Sequence, residues 1–424
     1  MKDSIRKPVL QLDDASGPSP STGVSVDNQN IRGTGAKMTD AVLKPLQLGL
    51  ALRRRLGRWR RLHGVRRWQD YQRAMTGETA VCSYIGWVGH GNVGDDALYE
   101  AFRDVLFPKL LMTLEDDVSA LSWVARRRQE VAPTLLGGGT LINVMPYYDA
   151  LVRAHSKGAP FAVFGTGVSD STFWSRFPEH KLRGGAALWP DLLREARYIG
   201  VRGPRSAESL DRQGIRNVEI IGDPALSLPK LPRRRNSEKF VLGLNLGSHD
   251  PVDGGAPAVF DAALDLARHV LKQGAEIMYV CLHAIDAELG KRLYFALGKP
   301  DRFRLLPCNE DVSRVCSQLA RCDLVVGQRL HATVLACAQG VANLSLSYQP
   351  KCFDFLESIG QSKLAIDTVG VSGGALIERY DWLLAHQDSV EAEIAVACDR
   401  FRRLQSTRAR EVQSMLFDEH DQQG

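Results

Sequence analysis

The chain has 424 residues, 44% of them hydrophobic, so it is long enough for two ordinary domains with buried cores. Nine of its 54 basic residues lie between residues 41 and 69, where there is no acid, and the remaining 45 are outnumbered by the 49 acids. No run of about 18 apolar residues occurs and no signal-peptide apolar block opens the chain, so we expect a cytoplasmic protein without a membrane span.

Two segments precede the predicted body. Residues 1–40 carry few large apolar groups, which predicts a disordered leader. Residues 41–75 carry Leu, Trp and many Arg at helical spacing, which predicts a basic amphipathic segment. This segment is open to three interpretations: peripheral contact with the inner face of the cytoplasmic membrane, a solvated leader, or nucleic-acid binding. We expect no nucleic-acid partner.

Strand-like and helical segments alternate through residues 78–223, which predicts βαβ units on a parallel sheet. Residues 224–239 hold three prolines without periodicity, which is typical of a linker. A second alternating series occupies residues 240–373, and residues 374–424 predict a helical tail that packs back on the body. The predicted fold class is therefore α/β, with two Rossmann-like doubly wound domains facing a ligand cleft.

The eight cysteines show no C-x-x-C pair and mostly lie in apolar segments, which indicates reduced thiols rather than disulfides. Carboxylates and histidines do not cluster with the spacing of metal ligands. We therefore expect no metal.

The turn after the first predicted strand satisfies G-x-G-x-x-G from Gly89 to Gly94, the pattern of a dinucleotide-binding turn. Glu115 lies where a ribose-binding acid would be expected. Against this, Asp95 and Asp96 occupy the helix start, where carboxylates would take the N–H groups and repel a pyrophosphate. These aspartates are either simple helix caps or carboxylates that accept a proton or bind a sugar hydroxyl at the cleft.

Two more glycine-rich turns follow successive strands. Gly138, Gly139 and Thr140 follow the third strand, and Gly165 and Gly167 follow the next. Glycine lets the backbone approach a ligand closely with its N–H groups exposed. Two such turns at neighbouring strand ends predict one wall of a ligand cleft.

Cationic side chains follow three other strands. Arg202 precedes a helix that Pro204 can open. Arg329 and His331 stand where an apolar strand meets a helix start, so they join free backbone N–H donors, and Lys351 follows the next strand. The alternative interpretations are that Arg202 forms an exposed salt bridge and that His331 is a structural histidine. The pattern predicts a small ligand with several negative charges.

Taken together, these motifs resemble the polysaccharide pyruvyl transferase family. The matching stretches are Gly91-Asn92-Val93-Gly94-Asp95, Gly137-Gly138-Gly139, Gly165-Thr166-Gly167, Val201-Arg202 with Ser206, Gly222-Asp223-Pro224, and Arg329-Leu330-His331 with Tyr348 and Lys351. The resemblance implies a GT-B-like pair of Rossmann-like domains, phosphoenolpyruvate as co-substrate, and a saccharide acceptor that gains a pyruvate ketal as phosphate is released. It places the reaction in bacterial exopolysaccharide or cell-envelope glycan biosynthesis and calls for no other cofactor.

The resemblance also implies roles for the matching residues. Arg202, Arg329 and Lys351 are expected to bind phosphoenolpyruvate, since Arg grips phosphate and carboxylate through paired hydrogen bonds. His331 is expected as the general acid or phosphate partner, and Asp95 as the base or the group that orients the acceptor. The remaining expected positions are Gly138 and Gly139 for the donor, and Asn92, Gly94, Thr140, Gly165 and Gly167 for the acceptor side of the cleft.

Two other functions remain open at this point. A GT-B-like glycosyltransferase should show carboxylates that hold the ribose of a nucleotide sugar in the second domain, and Asp323, which precedes its strand, is poorly placed for that. A non-catalytic glycan-binding scaffold is the other, and the joint presence of Arg202, Arg329 and His331 argues against it. If the acceptor is lipid-linked, the basic segment 41–75 gains a role at the membrane surface.

Overall fold

Two parallel β-sheets, built from consecutive parts of the chain, form the framework of the computed structural model. The described residues are 76, 79–114, 131–177, 185–233, 239–247, 256–307 and 311–417. They all belong to one compact unit, Gly57–Gly424. The predicted leader and basic segment, together with Glu115, lie outside the described residues.

The first sheet has the strand order β2-β1-β3-β5-β6-β7, with β4 also paired to β5, and each pairing is parallel. Its strands are β1 (Val81–Ile85), β2 (Leu111–Leu114), β3 (Thr134–Leu136), β4 (Gly139–Ile142), β5 (Phe161–Val168), β6 (Ile199–Val201) and β7 (Glu219–Ile220). Most of these strands are buried along their whole length, as expected for a parallel sheet covered on both faces.

The helices of the first lobe, by which we mean this sheet and its connections, cover both faces of the sheet. They are α1 (Val93–Ala101), which continues as a π-helical turn (Phe102–Leu106), α2 (Met145–His155), α3 (Ser171–Trp174), α4 (Trp189–Arg194) and α5 (Pro204–Arg212). One face is filled by aromatic rings in edge-to-face contact, with Phe102 5.0 Å from Tyr84 and 5.6 Å from Phe164 between ring centroids. The other face is closed by Trp189 and its aliphatic neighbours.

The second sheet, also wholly parallel, has the order β10-β9-β8-β11-β12-β13. Its strands are β8 (Val241–Asn245), β9 (Glu276–Tyr279), β10 (Phe303–Leu305), β11 (Leu324–Gly327), β12 (Ala342–Ser347) and β13 (Ala365–Asp367). Its helices are α6 (Ala256–Lys272), α7 (Ala287–Ala296), α8 (Val312–Leu319), α9 (Leu330–Ala338) and α10 (Pro350–Ser358), with 3-10 turns at Ala284–Asp286 and Ser362–Leu364. This sheet and its helices form the second lobe. The predicted fold class is confirmed.

The connection between the sheets begins with a 3-10 helix, Pro224–Ser227, in which every residue is buried. Asp223 precedes it, and its carboxylate accepts a hydrogen bond from the backbone N–H of Ala225 at 3.0 Å. The first residues of the predicted linker are therefore part of the core, and they hold Asp223 in place.

Two helices follow the second sheet: α11 (Gly373–Ala385) and the 31-residue α12 (Gln387–Phe417). The N-terminal half of α12 packs into the core of the second lobe through Ile394 and Phe401. Its C-terminal half packs on the first sheet through Val412 and Leu416. No helix in the described ranges is long and apolar enough to cross a membrane.

One sequence-based expectation about the cysteines is wrong. Cys281, just after β9, is disulfide-bonded, whereas six other cysteines in the described ranges are free and buried. No local spacing marks Cys281 as different, because a disulfide depends on the distance between residues in the fold rather than along the chain.

Candidate active site

A cavity of about 310 Å³ lies at the carboxyl ends of strands from both sheets. Such ends are where open α/β sheets bind their ligands, because the loops and helix N-termini that follow the strands converge there. The lining combines apolar and polar side chains: Trp87, Asn92, Asp95, Gly139, Thr140, Leu141, Val144, Pro146, Tyr147, Arg202, Arg329, Leu330, His331, Tyr348 and Lys351.

Side chains within and just after the loop between β1 and α1 accept hydrogen bonds from its backbone. Asn92 caps α1 by accepting a hydrogen bond from the N–H of Gly94, and its amide donates to Asp95 Oδ2 at 2.5 Å. Asp96 accepts from the N–H of Gly89 at 2.8 Å. Two backbone donors of the G-x-G-x-x-G turn, those of Gly89 and Gly94, are thus already bound to nearby side chains rather than open to a dinucleotide.

The same loop joins the two lobes through the backbone. Asn92 forms an antiparallel bridge with His283, and Val93 N–H donates to the carbonyl of Leu282 at 2.9 Å. The start of α1 is therefore fixed against the segment that follows β9.

His331 is the second residue of α9 and is 8% exposed. Its Nε2 lies 3.9 Å from Oδ2 of Asp223, which is fully buried. Neither atom has a hydrogen-bond partner within the part of the chain that the structure describes. The pair is thus close enough to interact electrostatically and too far apart to share a direct hydrogen bond.

Burial shifts both members of this pair toward their neutral forms. It lowers the pKa of His331 to about 3, an effect that the positive charges of Arg202 and Lys351 strengthen. It raises the pKa of Asp223 to about 6, although Arg202 acts in the opposite direction. At neutral pH the imidazole is therefore uncharged.

Asp95 stands at the other side of the cavity, in the first turn of α1. Burial raises the pKa of its carboxyl group to about 7, and the negative charges of Asp96 and Asp223 add to the effect. A carboxyl group with this pKa can donate or accept a proton near neutral pH, as acid–base catalysis requires.

Arg202 reaches the cavity wall from the end of β6 but is almost wholly buried. Its Nη1 donates to the carbonyl of Gly139 at 2.9 Å and to Thr140 Oγ1 at 3.3 Å, and its Nε lies 3.3 Å from Oδ2 of Asp354 in the second lobe. Asp354 also accepts from the hydroxyl of Ser206 at 2.8 Å. Arg202 therefore supports the wall and links the lobes, which the sequence interpretation did not foresee.

Arg329 and Lys351 bring positive charge to the second-lobe side. Arg329 is the N-cap residue of α9, and its guanidinium binds Asp286 through two hydrogen bonds of 2.6 and 3.0 Å. Lys351 lies in the first turn of α10, with its ammonium 5.1 Å from the ring centroid of Tyr348. Both side chains line the cavity.

Four of the predicted glycines lie behind the cavity wall. A Cβ atom on Gly94 would be 2.2 Å from Nδ1 of His331, and one on Gly167 would be 2.2 Å from Nη2 of Arg202. A Cβ on Gly138 would meet Leu98, and one on Gly165, whose φ is +71°, would meet Pro224. These glycines make room for the residues that form the site.

The cavity thus brings together eight of the predicted residues: Asn92, Asp95, Gly139, Thr140, Arg202, Arg329, His331 and Lys351. The sequence interpretation gave no site role to three others. Asp223 belongs to a motif that carried the family resemblance, and Trp87 adjoins the first glycine turn, whereas no local signal marks Asp286. In the described ranges, no group of three or more His, Cys, Asp and Glu side chains is placed to hold a metal ion.

Two lobes, each built on a parallel sheet, with a cavity at the carboxyl ends of strands from both sheets, define a GT-B-like α/β protein. The fold is similar to that of a candidate UDP-N-acetylglucosamine 2-epimerase from Listeria monocytogenes, with a TM-score of 0.53 and 12% identity over 80% of this chain and 97% of the other. For the UDP-GlcNAc 2-epimerase from Neisseria meningitidis bound to UDP-GlcNAc, the TM-score is 0.48, with 12% identity over 74% and 94% of the two chains.

The family model of polysaccharide pyruvyl transferase matches residues 92–350, more than half of the chain. The chain belongs to this family, and the resemblance seen in its motifs is confirmed. It is also 26% identical over 120 residues to the amylovoran biosynthesis protein AmsJ of Erwinia amylovora. That match covers 28% of this chain and 29% of the relative's length.

Proposed function

We propose that the protein transfers pyruvate from phosphoenolpyruvate to a saccharide as a ketal and releases phosphate. The observation that carries the proposal is the joint presence, in one cavity of about 310 Å³, of two cations, Arg329 and Lys351, with two proton-transfer groups, His331 and Asp95. A cavity of this size is at the lower end of the range for small-ligand sites and suits a compact anion beside part of a sugar ring.

The donor has two anionic groups, and the cations offer a partner for each. The guanidinium of Arg329 lines the cavity and is held in place by Asp286 through its Nε and Nη2 atoms. Lys351 supplies a mobile point charge on the same side. In this arrangement Arg329 binds one anionic group of phosphoenolpyruvate and Lys351 binds the other. Arg202 contributes its positive charge from within the cavity wall.

The reaction needs a proton at the methylene carbon of the donor. Burial and two nearby cations lower the pKa of His331, so its imidazole is neutral before the donor binds. A bound phosphate would offset those positive charges and raise the pKa of His331, so the imidazole would gain the proton that it then delivers. Donor binding and activation of the acid are in this way the same event.

The acceptor supplies two hydroxyl groups. Protonation of the methylene carbon gives a methyl group and a cation-like carbon, which the first hydroxyl oxygen attacks as Asp95 takes its proton. The bond from that carbon to the phosphate oxygen breaks, the second hydroxyl oxygen closes the ketal, and its proton leaves with the phosphate. Protons and charges balance without a further reactant.

The acceptor is proposed to be a saccharide of bacterial exopolysaccharide or cell-envelope glycan assembly, in line with the partial similarity to an amylovoran biosynthesis protein. We further propose that the reaction takes place in the cytoplasm, on a lipid-linked form of the acceptor at the membrane surface. Deletion of residues 41–75 should then reduce sedimentation of the protein with anionic liposomes. Unchanged sedimentation would contradict the membrane contact.

The donor is tested by titrating the purified full chain with phosphoenolpyruvate and, separately, with UDP-sugars, using thermal unfolding and calorimetry. Stabilisation by phosphoenolpyruvate, followed by phosphate release in ³¹P NMR once a saccharide acceptor is added, is the expected result. Stabilisation by UDP-sugars alone would replace the proposal with glycosyl transfer. Binding of neither would point to a non-catalytic scaffold.

A further inference from the structure

Trp87 lies in the loop between β1 and α1 and lines the cavity. It is 46% exposed, whereas Trp174 and Trp189 are buried and Trp382 is half-buried. Exposing a large aromatic ring to water is unfavourable by roughly 25 cal/mol per Å² of apolar surface. An exposed tryptophan at the mouth of a cavity is therefore a candidate contact for a ligand.

The ring of Trp87 is held in one orientation by its neighbour in the loop. It stacks on the imidazole of His90 with 3.7 Å between ring centroids and 12° between planes. Gly89 and Gly91, with φ of +76° and +82°, form the tight turn that brings His90 back under the indole. One face of the indole is thus covered, and the opposite face remains for a ligand.

The surroundings of Trp87 suit a sugar ring. A pyranose has an apolar face of C–H groups and a rim of hydroxyl groups, so it needs an aromatic surface and hydrogen-bonding side chains nearby. The same cavity provides both, because Asn92 at the end of the loop and Asp95 in the first turn of α1 follow Trp87, and Tyr147 adds a second aromatic side chain. The cations Arg329 and Lys351 come from the other lobe.

We infer that Trp87 is the stacking platform for the acceptor sugar, with its ring held in position by His90, so that a pyranose hydroxyl is directed toward Asp95. This inference rests on the proposed function and adds to it the location of the acceptor subsite. It divides the cavity into a first-lobe side for the sugar and a second-lobe side for the anionic donor.

The test is saturation-transfer NMR and calorimetry on the full chain with methyl glucopyranoside, galactopyranoside and mannopyranoside, each with phosphoenolpyruvate present. Trp87→Ala is expected to weaken binding of the pyranosides that wild type recognises by about tenfold, and Trp87→Phe by about threefold. His90→Ala is expected to weaken it by about threefold, since the indole loses its support. Phe295→Ala, which removes another exposed aromatic side chain outside the cavity, is the matched control and should change nothing.

Phosphoenolpyruvate binding is measured on the same variants and should change less than about twofold in Trp87→Ala. Equal pyranoside affinity in wild type and Trp87→Ala would overturn the stacking platform, as would a wild type that binds no pyranoside. Failure of the wild type to bind phosphoenolpyruvate would instead refute the proposed donor, so the two failures are distinguishable.

Discussion

Gly94 and His331 are in such close contact that a Cβ atom on the glycine would lie 2.2 Å from Nδ1 of the imidazole. Gly94 belongs to the first turn of α1 in the first lobe, and His331 to the first turn of α9 in the second. Two helix starts therefore meet at the site, and only a hydrogen atom fits between them. Gly94 therefore leaves room for the imidazole of His331, and its role is not to make a loop flexible.

Gly94→Ala is expected to displace His331 and to lower transferase activity by about 100-fold or more, while costing about 1–3 kcal/mol in stability. Phosphate release and urea unfolding measure the two effects. Gly374→Ala is the matched control, because a Cβ there meets no atom within 4 Å, and it should leave both unchanged. Near wild-type turnover in Gly94→Ala would mean that the imidazole can move without loss.

Arg202→Gln is expected to lower the free energy of unfolding by about 3 kcal/mol, because it leaves the buried carboxylate of Asp354 without its guanidinium. Arg205→Gln is the matched control, since Arg205, at the start of α5, contacts the same helix α10 through Glu357 in an exposed pair worth under about 1 kcal/mol. If both variants lose the same free energy of unfolding in urea, burial of the Arg202–Asp354 pair does not add to its effect on stability.

Binding of phosphoenolpyruvate near pH 7 is expected to be accompanied by uptake of up to about one proton by His331, whose pKa burial lowers to about 3. Calorimetry in buffers of different ionisation enthalpy measures this uptake. It should disappear in His331→Asn and persist in His269→Asn, which alters a partly exposed histidine paired with Asp381. Identical uptake in all three proteins would show that His331 only holds the phosphate.

Asp95→Asn is expected to stabilise the protein at pH 8 and not at pH 4. Burial raises the pKa of this carboxyl group in the folded state to about 7 from its ordinary value of 3.8, so the folded state binds more protons than the unfolded state between these two pH values. Its contribution to stability therefore falls as pH rises through that window and is constant above it. Because Asp95 retains contact with water, we expect a gain of about 1–2 kcal/mol rather than the full shift.

Urea unfolding at pH 4 and pH 8 measures the difference. Asp149→Asn, at an exposed position on α2, is the control and should show little dependence on pH. A gain that is the same at both pH values would indicate that the Asn side chain packs better, and not that the carboxyl group is destabilising when ionised.

The sequence predicts well the part of the site that the second lobe contributes. Helix α9 begins at Leu330, beside Arg329 and His331 as predicted, because an apolar strand that ends in a glycine is followed directly by a second apolar segment. Strand β4 was missed because its first residue, Gly139, ends a run of three glycines that is typical of a turn. Its pairing with β5 keeps the segment extended, and such long-range pairing leaves no local pattern.

The partners of the predicted cations could not be predicted. Asp286 precedes Arg329 by 43 residues, and Asp354 follows Arg202 by 152. Both carboxylates lie in ordinary helical segments. Packing within the second lobe brings Asp286 to Arg329, and packing between the lobes brings Asp354 to Arg202. Sequence motifs therefore identified which residues converge and not which of them are already neutralised.

The long C-terminal helix α12 begins well beyond residue 350, where the family match ends. Gln405 on this helix donates to the backbone carbonyls of Ile221 and Asp223, and Phe401 packs against Gly222. Asp223, which faces His331, is thus held in place by a helix that lies outside the family match. A shortened or chimeric protein cut at the family boundary would keep the motifs up to Tyr348 and lose the helix that holds Asp223 in place.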